Sequence, residues 1–219
     1  MSGTAIGRQI LASLGAAERS EMPFRHWLLR DVVPASVGVA VTSLPVQPPA
    51  VADTLGKRET HNATRVFLAG EVMRRFPVCR EIADALQDDV IVAAFETRFG
   101  AELQGSYLRV EYCQDRPGFW LEPHTDIGAK RFTMLIYLSR EAEAAEWGTD
   151  LYDGPDLWVG RAPGEFARGL VFIPASNTWH GFARRPIAGV RRSLIVNYVI
   201  PQWRSRHELA FPDRLVGGA

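Results

Sequence analysis

The stretch Arg191–Val199, which reads RRSLIVNYV, has the side-chain pattern of a β-strand with two unlike faces. Successive side chains of a strand point to opposite faces, so alternate residues share a face. One face would carry Arg191, Ser193, Ile195 and Asn197, and the other would carry Arg192, Leu194, Val196 and Tyr198. The second face is mostly apolar and suits burial under helices. The first face is polar at its start and suits the wall of a pocket.

Short strands are predicted throughout the second half of the chain. Stretches rich in β-branched and aromatic residues, bounded by Gly, Pro or Asp, occur at Tyr107–Tyr112, Phe132–Leu138, Gly169–Ile173 and Ser193–Ile200. Turn signals stand between them at Pro117-Gly118, Asp153-Gly154-Pro155 and Ala162-Pro163-Gly164. Short strands at this spacing favour a sandwich or a barrel over a parallel α/β sheet.

The first hundred residues read as helices with a few extended pieces. Ala63–Phe76 and Val78–Phe99 are predicted helices, Gly100 is placed to end the second, and the prolines of Leu44–Pro49 form a rigid connector. Helices followed by strands favour helices packed on one face of a strand-rich unit. We therefore expect a mainly β protein with N-terminal helices (α+β), in which a double-stranded β-helix, or jelly roll, is buttressed by those helices.

Length and composition are typical of one globular domain. The chain has 219 residues, of which 47% are hydrophobic and 23% charged. We expect a single domain over 1–219, with a helical part over about 1–104 and a jelly-roll core over about 105–203.

The net charge and the cysteine content limit which partners and which cellular compartment we expect for the protein. The formal net charge is zero, which gives no general attraction to nucleic acid or anionic lipid. Cys79 and Cys113 do not form a disulfide framework and suit a reducing compartment. Arg8 and Gln9 interrupt what would be the apolar region of a signal peptide, and no apolar run approaches the ~18 residues of a membrane span. We expect a cytoplasmic protein without nucleic-acid or membrane partners.

The sequence His124-Thr125-Asp126 offers a pair of metal ligands. Residues two apart in a strand point to the same face, so one strand end can present both side chains to one ion. His180 follows 54 residues after Asp126, which leaves room for the chain to return with a third ligand. Two imidazoles and a carboxylate are the ligand set of mononuclear non-haem iron oxygenases, although zinc accepts the same set. Alone, either histidine is more often a hydrogen-bonded structural residue than a metal ligand, and the downstream residues change that balance.

Arg191 and Ser193 would share the polar face of the last strand. An arginine can grip a carboxylate with two hydrogen bonds, and the serine hydroxyl can add a third. Tyr137 lies on a mostly hydrophobic strand and needs a partner for its hydroxyl, which a carboxylate beside Arg191 would supply. Arg191 and Arg192 could instead be surface arginines that flank a core strand. Tyr137 could instead be a core tyrosine whose hydroxyl is hydrogen-bonded to backbone.

Taken together, these residues resemble the Fe(II)/2-oxoglutarate-dependent dioxygenases, most closely the prolyl-hydroxylase-like branch. The resemblance covers roughly Ser106–Ile200 and rests, in chain order, on Tyr112, His124-Thr125-Asp126, Tyr137-Leu138-Ser139, His180 and Arg191-Arg192-Ser193. It implies Fe(II) ligation by His124, Asp126 and His180. It further implies 2-oxoglutarate binding by Arg191, Ser193 and Tyr137, with Tyr112 as a pocket residue.

The activity that the resemblance implies is hydroxylation of an organic substrate by O2, with release of succinate and CO2. The gap of 11 residues between His180 and Arg191 is slightly longer than the family pattern, which leaves Arg192 or Arg185 as alternative carboxylate ligands. The competing hypotheses are a cupin-like dioxygenase or a zinc hydrolase, neither of which explains Arg191, and a catalytically silent jelly-roll binding module, against which the intact His/Asp/His set argues.

The substrate, a small molecule or a peptide, is not specified by the sequence. Candidate contacts are Arg109, Glu111, Asn197, Trp120, Trp179, a lid at Asp115–Trp120 and the long loop Glu141–Asp156. The tryptophans read equally well as core packing. His61 and His207 have no motif around them and are predicted not to be ligands.

Overall fold

The computed structural model describes residues 3–48, 56–57, 65–126 and 128–218. The α-helices of these residues are α1 (Ala5–Gly15), α2 (Ala35–Thr42), α3 (Gly70–Arg75), α4 (Pro77–Gln87) and α5 (Asp89–Phe99). Thr4 caps α1 by accepting a hydrogen bond from the Gly7 amide, and Gly100 ends α5 in the left-handed conformation. No helix in the described part is long and apolar enough to span a membrane.

The strands form two antiparallel sheets. They are β1 (Glu18–Ser20), β2 (His26–Leu29), β3 (Val66–Phe67), β4 (Tyr107–Asp115), β5 (Leu121–His124), β6 (Lys130–Tyr137), β7 (Asp150–Tyr152), β8 (Trp158–Arg161), β9 (Gly169–Phe172), β10 (His180–Phe182) and β11 (Arg191–Val199). The larger sheet has the order β1-β2-β9-β6-β11-β4-β3, and the smaller has the order β5-β10-β7-β8. The predicted double-stranded β-helix with N-terminal helices is confirmed.

The two faces of β11 separate the helices from the space between the sheets. Leu194, Val196 and Tyr198 belong to the main hydrophobic core, together with residues of α1, α4 and α5. A second apolar cluster holds Leu135 and Tyr137 of β6 with Leu151 of β7. The space between the sheets therefore has its own apolar lining, and the polar start of the inner face of β11 opens into it.

Two helix predictions are wrong. The predicted helix Val78–Phe99 is two helices, because Asp88 leaves the helical conformation and caps α5 by accepting a hydrogen bond from the Val90 amide at 2.9 Å. Within Ala63–Phe76, the described residues hold the short edge strand β3 before α3 begins. Val66 and Phe67 pair with Tyr112 and Glu111, and this pairing overrides their local helical pattern.

The N-terminal part is also less purely helical than predicted, because β1, β2 and β3 all extend the larger sheet. The predicted connector Leu44–Pro49 lies outside helices and strands as far as residue 48, and Pro49 falls outside the described residues.

Replacing Phe132 by alanine is expected to lower the free energy of unfolding by about 3–5 kcal/mol, the range for deleting a buried Phe side chain. Phe132 is 0% exposed and stacks on Phe95 with ring centroids 5.3 Å apart. Urea-induced unfolding measures the loss, and Val159→Ala, at a side chain 43% exposed, is the control with an expected change of about 0.5 kcal/mol or less. Equal losses in the two variants would contradict this packing.

Candidate metal centre

Strand pairing brings the two histidines of the predicted triad together. His124 ends β5, His180 begins β10, and these residues face each other in the antiparallel register of the two strands. Their ring centroids are 4.4 Å apart. Asp126 follows β5 by two residues, and ligand atoms of all three side chains lie within 4.8 Å of one another. Among the described residues, this is the one group of three or more His, Cys, Asp or Glu side chains with such spacing.

Both imidazoles are oriented by backbone carbonyls. His180 Nδ1 lies 2.8 Å from the Thr178 carbonyl oxygen, and His124 Nδ1 lies 3.0 Å from that of Glu122. A carbonyl only accepts, so each Nδ1 carries the hydrogen and each Nε2 keeps its lone pair. Burial, together with the nearby His124, lowers the pKa of His180 to about 3. His180 is therefore neutral at physiological pH, as metal ligation requires.

The Asp126 carboxylate is held on both oxygens. The Thr133 hydroxyl donates to Oδ2 at 2.7 Å, and the Lys130 ammonium lies 2.5 Å from Oδ1. All three side chains are buried and line the cavity between the sheets. Lys130 was not among the predicted site residues; simple alternation would place it on the face of Phe132, and the register irregularity at this end of the β6–β11 pairing accompanies its inward direction. Lys130 and Thr133 therefore compensate the buried negative charge of Asp126.

Arg191 reaches the same cavity from the start of β11. Its Nε donates to the Trp147 carbonyl at 2.6 Å, and its Nη1 donates to Asp115 Oδ2 at 2.5 Å. Asp115 also accepts a hydrogen bond from Arg65 Nη1 at 3.1 Å. Two guanidinium groups and one carboxylate leave a net positive charge of one among these three side chains. Arg65, which sequence reasoning missed, lies in a segment predicted as helix and carries no motif.

Tyr137 and Ser193 lie beside Arg191. Burial raises the pKa of Tyr137, so its hydroxyl stays protonated and donates to Thr149 Oγ1 at 2.8 Å. The Arg191 guanidinium carbon is 6.0 Å from the Tyr137 ring centroid. Ser193 Oγ is buried and has no hydrogen-bond partner in the part of the chain that the structure describes. The structure thus places an unsatisfied hydroxyl on the same strand face as Arg191.

Tyr112 was predicted to be a pocket residue, and this prediction is wrong. Tyr112 points into the core beneath the helices, because it pairs with Leu194 and shares the outer face of the sheet. Arg192 also lies on that face and binds Glu141 at 3.2 Å. Arg185 pairs with Asp150 and stacks on the Phe182 ring at 4.0 Å. Of the three candidate arginines, Arg191 is the one that lines the cavity with the triad.

The candidate substrate contacts have separate positions. Glu111 lines the cavity, whereas Arg109 and Asn197 are buried behind it. Within the predicted lid, Phe119 lines the cavity, while Trp120 packs under Arg184 at 4.3 Å, and Trp179 is half-buried. The loop Glu141–Asp156 contributes Thr149 to the cavity wall and the carbonyl that binds Arg191. His207 contacts Phe67 rather than the triad, and His61 falls outside the described residues.

Comparison with known proteins supports the architecture through structure alone. No protein-family model and no curated protein sequence matches this chain. A Pseudomonas putida prolyl-4-hydroxylase matches with a TM-score of 0.56 and 12% identity, over 89% of this chain and 98% of that one. The chain has the prolyl-4-hydroxylase fold. The resemblance indicated by its motifs is confirmed at the level of the fold.

Two further structures share the prolyl-4-hydroxylase fold with this chain. A prolyl hydroxylase from Trichoplax adhaerens, in complex with a peptide fragment of a hypoxia inducible factor oxygen degradation domain, matches with a TM-score of 0.55 and 13% identity, over 89% of each chain. HygX from Streptomyces hygroscopicus, with nickel and 2-oxoglutarate bound, matches with a TM-score of 0.51 and 12% identity, over 80% of this chain and 81% of that one.

Proposed function

We propose that this protein is an Fe(II)- and 2-oxoglutarate-dependent oxygenase that hydroxylates an organic substrate and releases succinate and CO2. The observation that carries the proposal is that one cavity is lined both by His124, Asp126 and His180 and by Arg191. The fold supports it, because a structure of the same fold, HygX, holds nickel and 2-oxoglutarate.

The donor set fits Fe(II). Each of His124, Asp126 and His180 offers one ligand atom, and an imidazole whose Nδ1 carries the hydrogen can bind a metal through Nε2. Two nitrogens and one oxygen from the protein leave open coordination positions, the arrangement typical of non-haem iron oxygenases. When bound, iron supplies the O2 activation that oxidises a C–H bond, and the protein supplies position and surroundings.

The surroundings of Arg191 in this cavity fit the distal carboxylate of 2-oxoglutarate. Arg191 is held in place by the Trp147 carbonyl and by Asp115, so its guanidinium is oriented before a ligand binds. Ser193 Oγ, buried without a partner among the described residues, would donate to the incoming carboxylate. Because Arg65 also offsets the charge of Asp115, the guanidinium of Arg191 can bind a second carboxylate. The Tyr137 hydroxyl holds Thr149, which lines the same cavity, through a hydrogen bond.

Apolar side chains form a further part of the cavity wall. They are Phe119, Leu121, Leu135, Phe182 and Ile195. An apolar lining strengthens the electrostatic contacts of the polar groups inside it. The substrate would be a small molecule or a peptide; the Trichoplax enzyme of the same fold was solved with a peptide.

An anaerobic titration of the purified protein with Fe(II) and 2-oxoglutarate tests this proposal directly. We expect the weak visible charge-transfer band of a chelated 2-oxo acid, because three protein ligands would leave open coordination positions on the metal and Arg191 would bind the distal carboxylate. His124→Ala should abolish the band, and His207→Ala, a histidine outside the cavity, should leave it unchanged. Iron binding without the band would contradict the role of 2-oxoglutarate and favour a cupin-like metalloenzyme. Absence of iron binding would favour a silent jelly-roll module.

A further inference from the structure

Arg109 lies at the centre of a buried polar network behind the cavity. Its side chain is 2% exposed. Nε donates to Glu208 Oε2 at 2.6 Å, and Nη1 and Nη2 donate to the two oxygens of Glu111 at 3.0 and 3.2 Å. The rings of Phe67 and Trp203 lie 4.8 and 5.4 Å from the guanidinium carbon. The position of this guanidinium is therefore determined on several sides.

The network continues from Arg109 to the metal carboxylate through two side chains. Arg109 Nη1 donates to Asn197 Oδ1 at 3.3 Å, Asn197 Nδ2 lies 3.0 Å from Thr133 Oγ1, and Thr133 Oγ1 lies 2.7 Å from Asp126 Oδ2. Each member is buried. A buried, fully connected chain of this kind restrains its members more strongly than separate contacts do.

The chemistry of the groups determines the direction of every hydrogen bond in this chain. A guanidinium only donates, so the Asn197 oxygen must face Arg109 and its amide nitrogen must face Thr133. The Phe132 carbonyl, which only accepts, lies 3.3 Å from the same nitrogen and requires the same orientation. Because Thr133 Oγ1 accepts from Asn197, its hydrogen is directed at Asp126 Oδ2.

We infer that Arg109, held by Glu111 and Glu208, is a positioning residue for the metal centre: it orients the Asn197 amide and the Thr133 hydroxyl, whose hydrogen bond to Oδ2 fixes the orientation of the Asp126 carboxylate beside Lys130. The inference rests on the proposed function. It also makes the C-terminal segment part of the site, because Glu208 belongs to the short 3-10 helix Arg206–Glu208.

We call the hydrogen-bonded chain from Arg109 through Asn197 and Thr133 to Asp126 the relay. Asn197→Asp reverses the hydrogen bond between residue 197 and Thr133 with little change in side-chain shape. The new carboxylate still accepts from Arg109, but it can no longer donate to Thr133. The Thr133 hydrogen would then have two competing carboxylate acceptors, and the Oδ2 atom of Asp126 would lose its fixed donor. Removing the partner of a metal ligand typically weakens metal affinity by about 10–100-fold. Glu208→Ala should act in the same direction by loosening Arg109.

Co(II) binding to the full chain tests the relay independently of turnover. We expect Asn197→Asp to raise the dissociation constant for Co(II) by about tenfold or more and to alter the visible d–d bands at saturation. Arg206→Ala is the matched control, because Arg206 lies in the same 3-10 helix but stacks on Tyr107. A folded Asn197→Asp variant with wild-type Co(II) affinity and spectrum would overturn the inference.

A second pair of variants applies if Asn197→Asp does not fold. Thr133→Val removes the final donor, and Thr133→Ser keeps the hydroxyl. We expect the valine variant to bind Co(II) about tenfold or more weakly and the serine variant to recover most of that loss. Equal affinities would overturn the relay alone. Failure of the wild-type protein to bind Co(II) would instead contradict the proposed function, and the relay with it.

Discussion

Asp126→Ala is expected to abolish 2-oxoglutarate turnover and metal binding. The substitution removes the one carboxylate of the triad, and two neutral imidazoles cannot offset the charge of a divalent ion. It also breaks the ion pair between Asp126 and Lys130, whose ammonium lies 2.5 Å from Asp126 Oδ1 with both side chains buried. Removing one member of a buried ion pair costs about 3–5 kcal/mol of stability. Succinate release and urea unfolding measure the two effects.

The double variant Asp126→Ala/Lys130→Met separates the two effects of that substitution. Replacing a buried pair by apolar side chains is often neutral or stabilising, so the double variant should recover stability relative to Asp126→Ala. It should not recover turnover, because the ligand is still missing. Asp156→Ala, at an exposed carboxylate, should change neither quantity. Unchanged succinate release by Asp126→Ala would rule out Asp126 as a ligand.

The alternation of side chains was the most reliable sequence signal. In β11, the sequence predicted which residues face the helices, and Leu194, Val196 and Tyr198 do lie in the helix-facing core. The period of two is a property of the strand backbone, so it holds wherever a strand forms. The same signal placed Arg191 and Ser193 on the opposite face. Alternation does not say which strands become neighbours, and the errors arose at that point.

Tyr112 shows this limit. Its own strand, β4, was predicted, but its direction depends on pairing with β11, where it lies opposite Leu194. A resemblance by sequence order could not provide that register. The position of Arg65 depends likewise on the edge pairing of β3 with β4, a contact between segments far apart in the chain.

The sequence predicted that His124 and His180 bind one metal, but it did not predict the strand pairing that brings them together. β10 has only three residues and no run of β-branched side chains, so nothing in its sequence marks it as a strand. It forms because β5 and β7 flank it and supply its hydrogen-bond partners. Tertiary pairing of this kind overrides weak local propensity. The helix break at Asp88 was more visible in principle, since Asp is a preferred capping residue.

Arg191→Met is expected to raise the KM for 2-oxoglutarate by about 10–100-fold, which corresponds to the loss of one charged hydrogen bond of about 1.5–3 kcal/mol. The effect on kcat should be smaller, because Arg191 binds a part of the cosubstrate that does not react. The fold should tolerate the change, since Asp115 keeps its ion pair with Arg65. Initial rates of succinate release at varied 2-oxoglutarate measure both parameters.

Arg192→Met is the matched control for Arg191→Met, because it removes the same group from the next residue of the strand. Arg192 lies on the outer face beside Glu141, so its loss should leave the KM for 2-oxoglutarate unchanged. A raised KM in Arg192→Met together with a normal KM in Arg191→Met would show that the face assignment of β11 does not determine the carboxylate site. A raised KM in Arg191→Met alone would tie cosubstrate binding to the inner face of β11, on which Ser193 also lies.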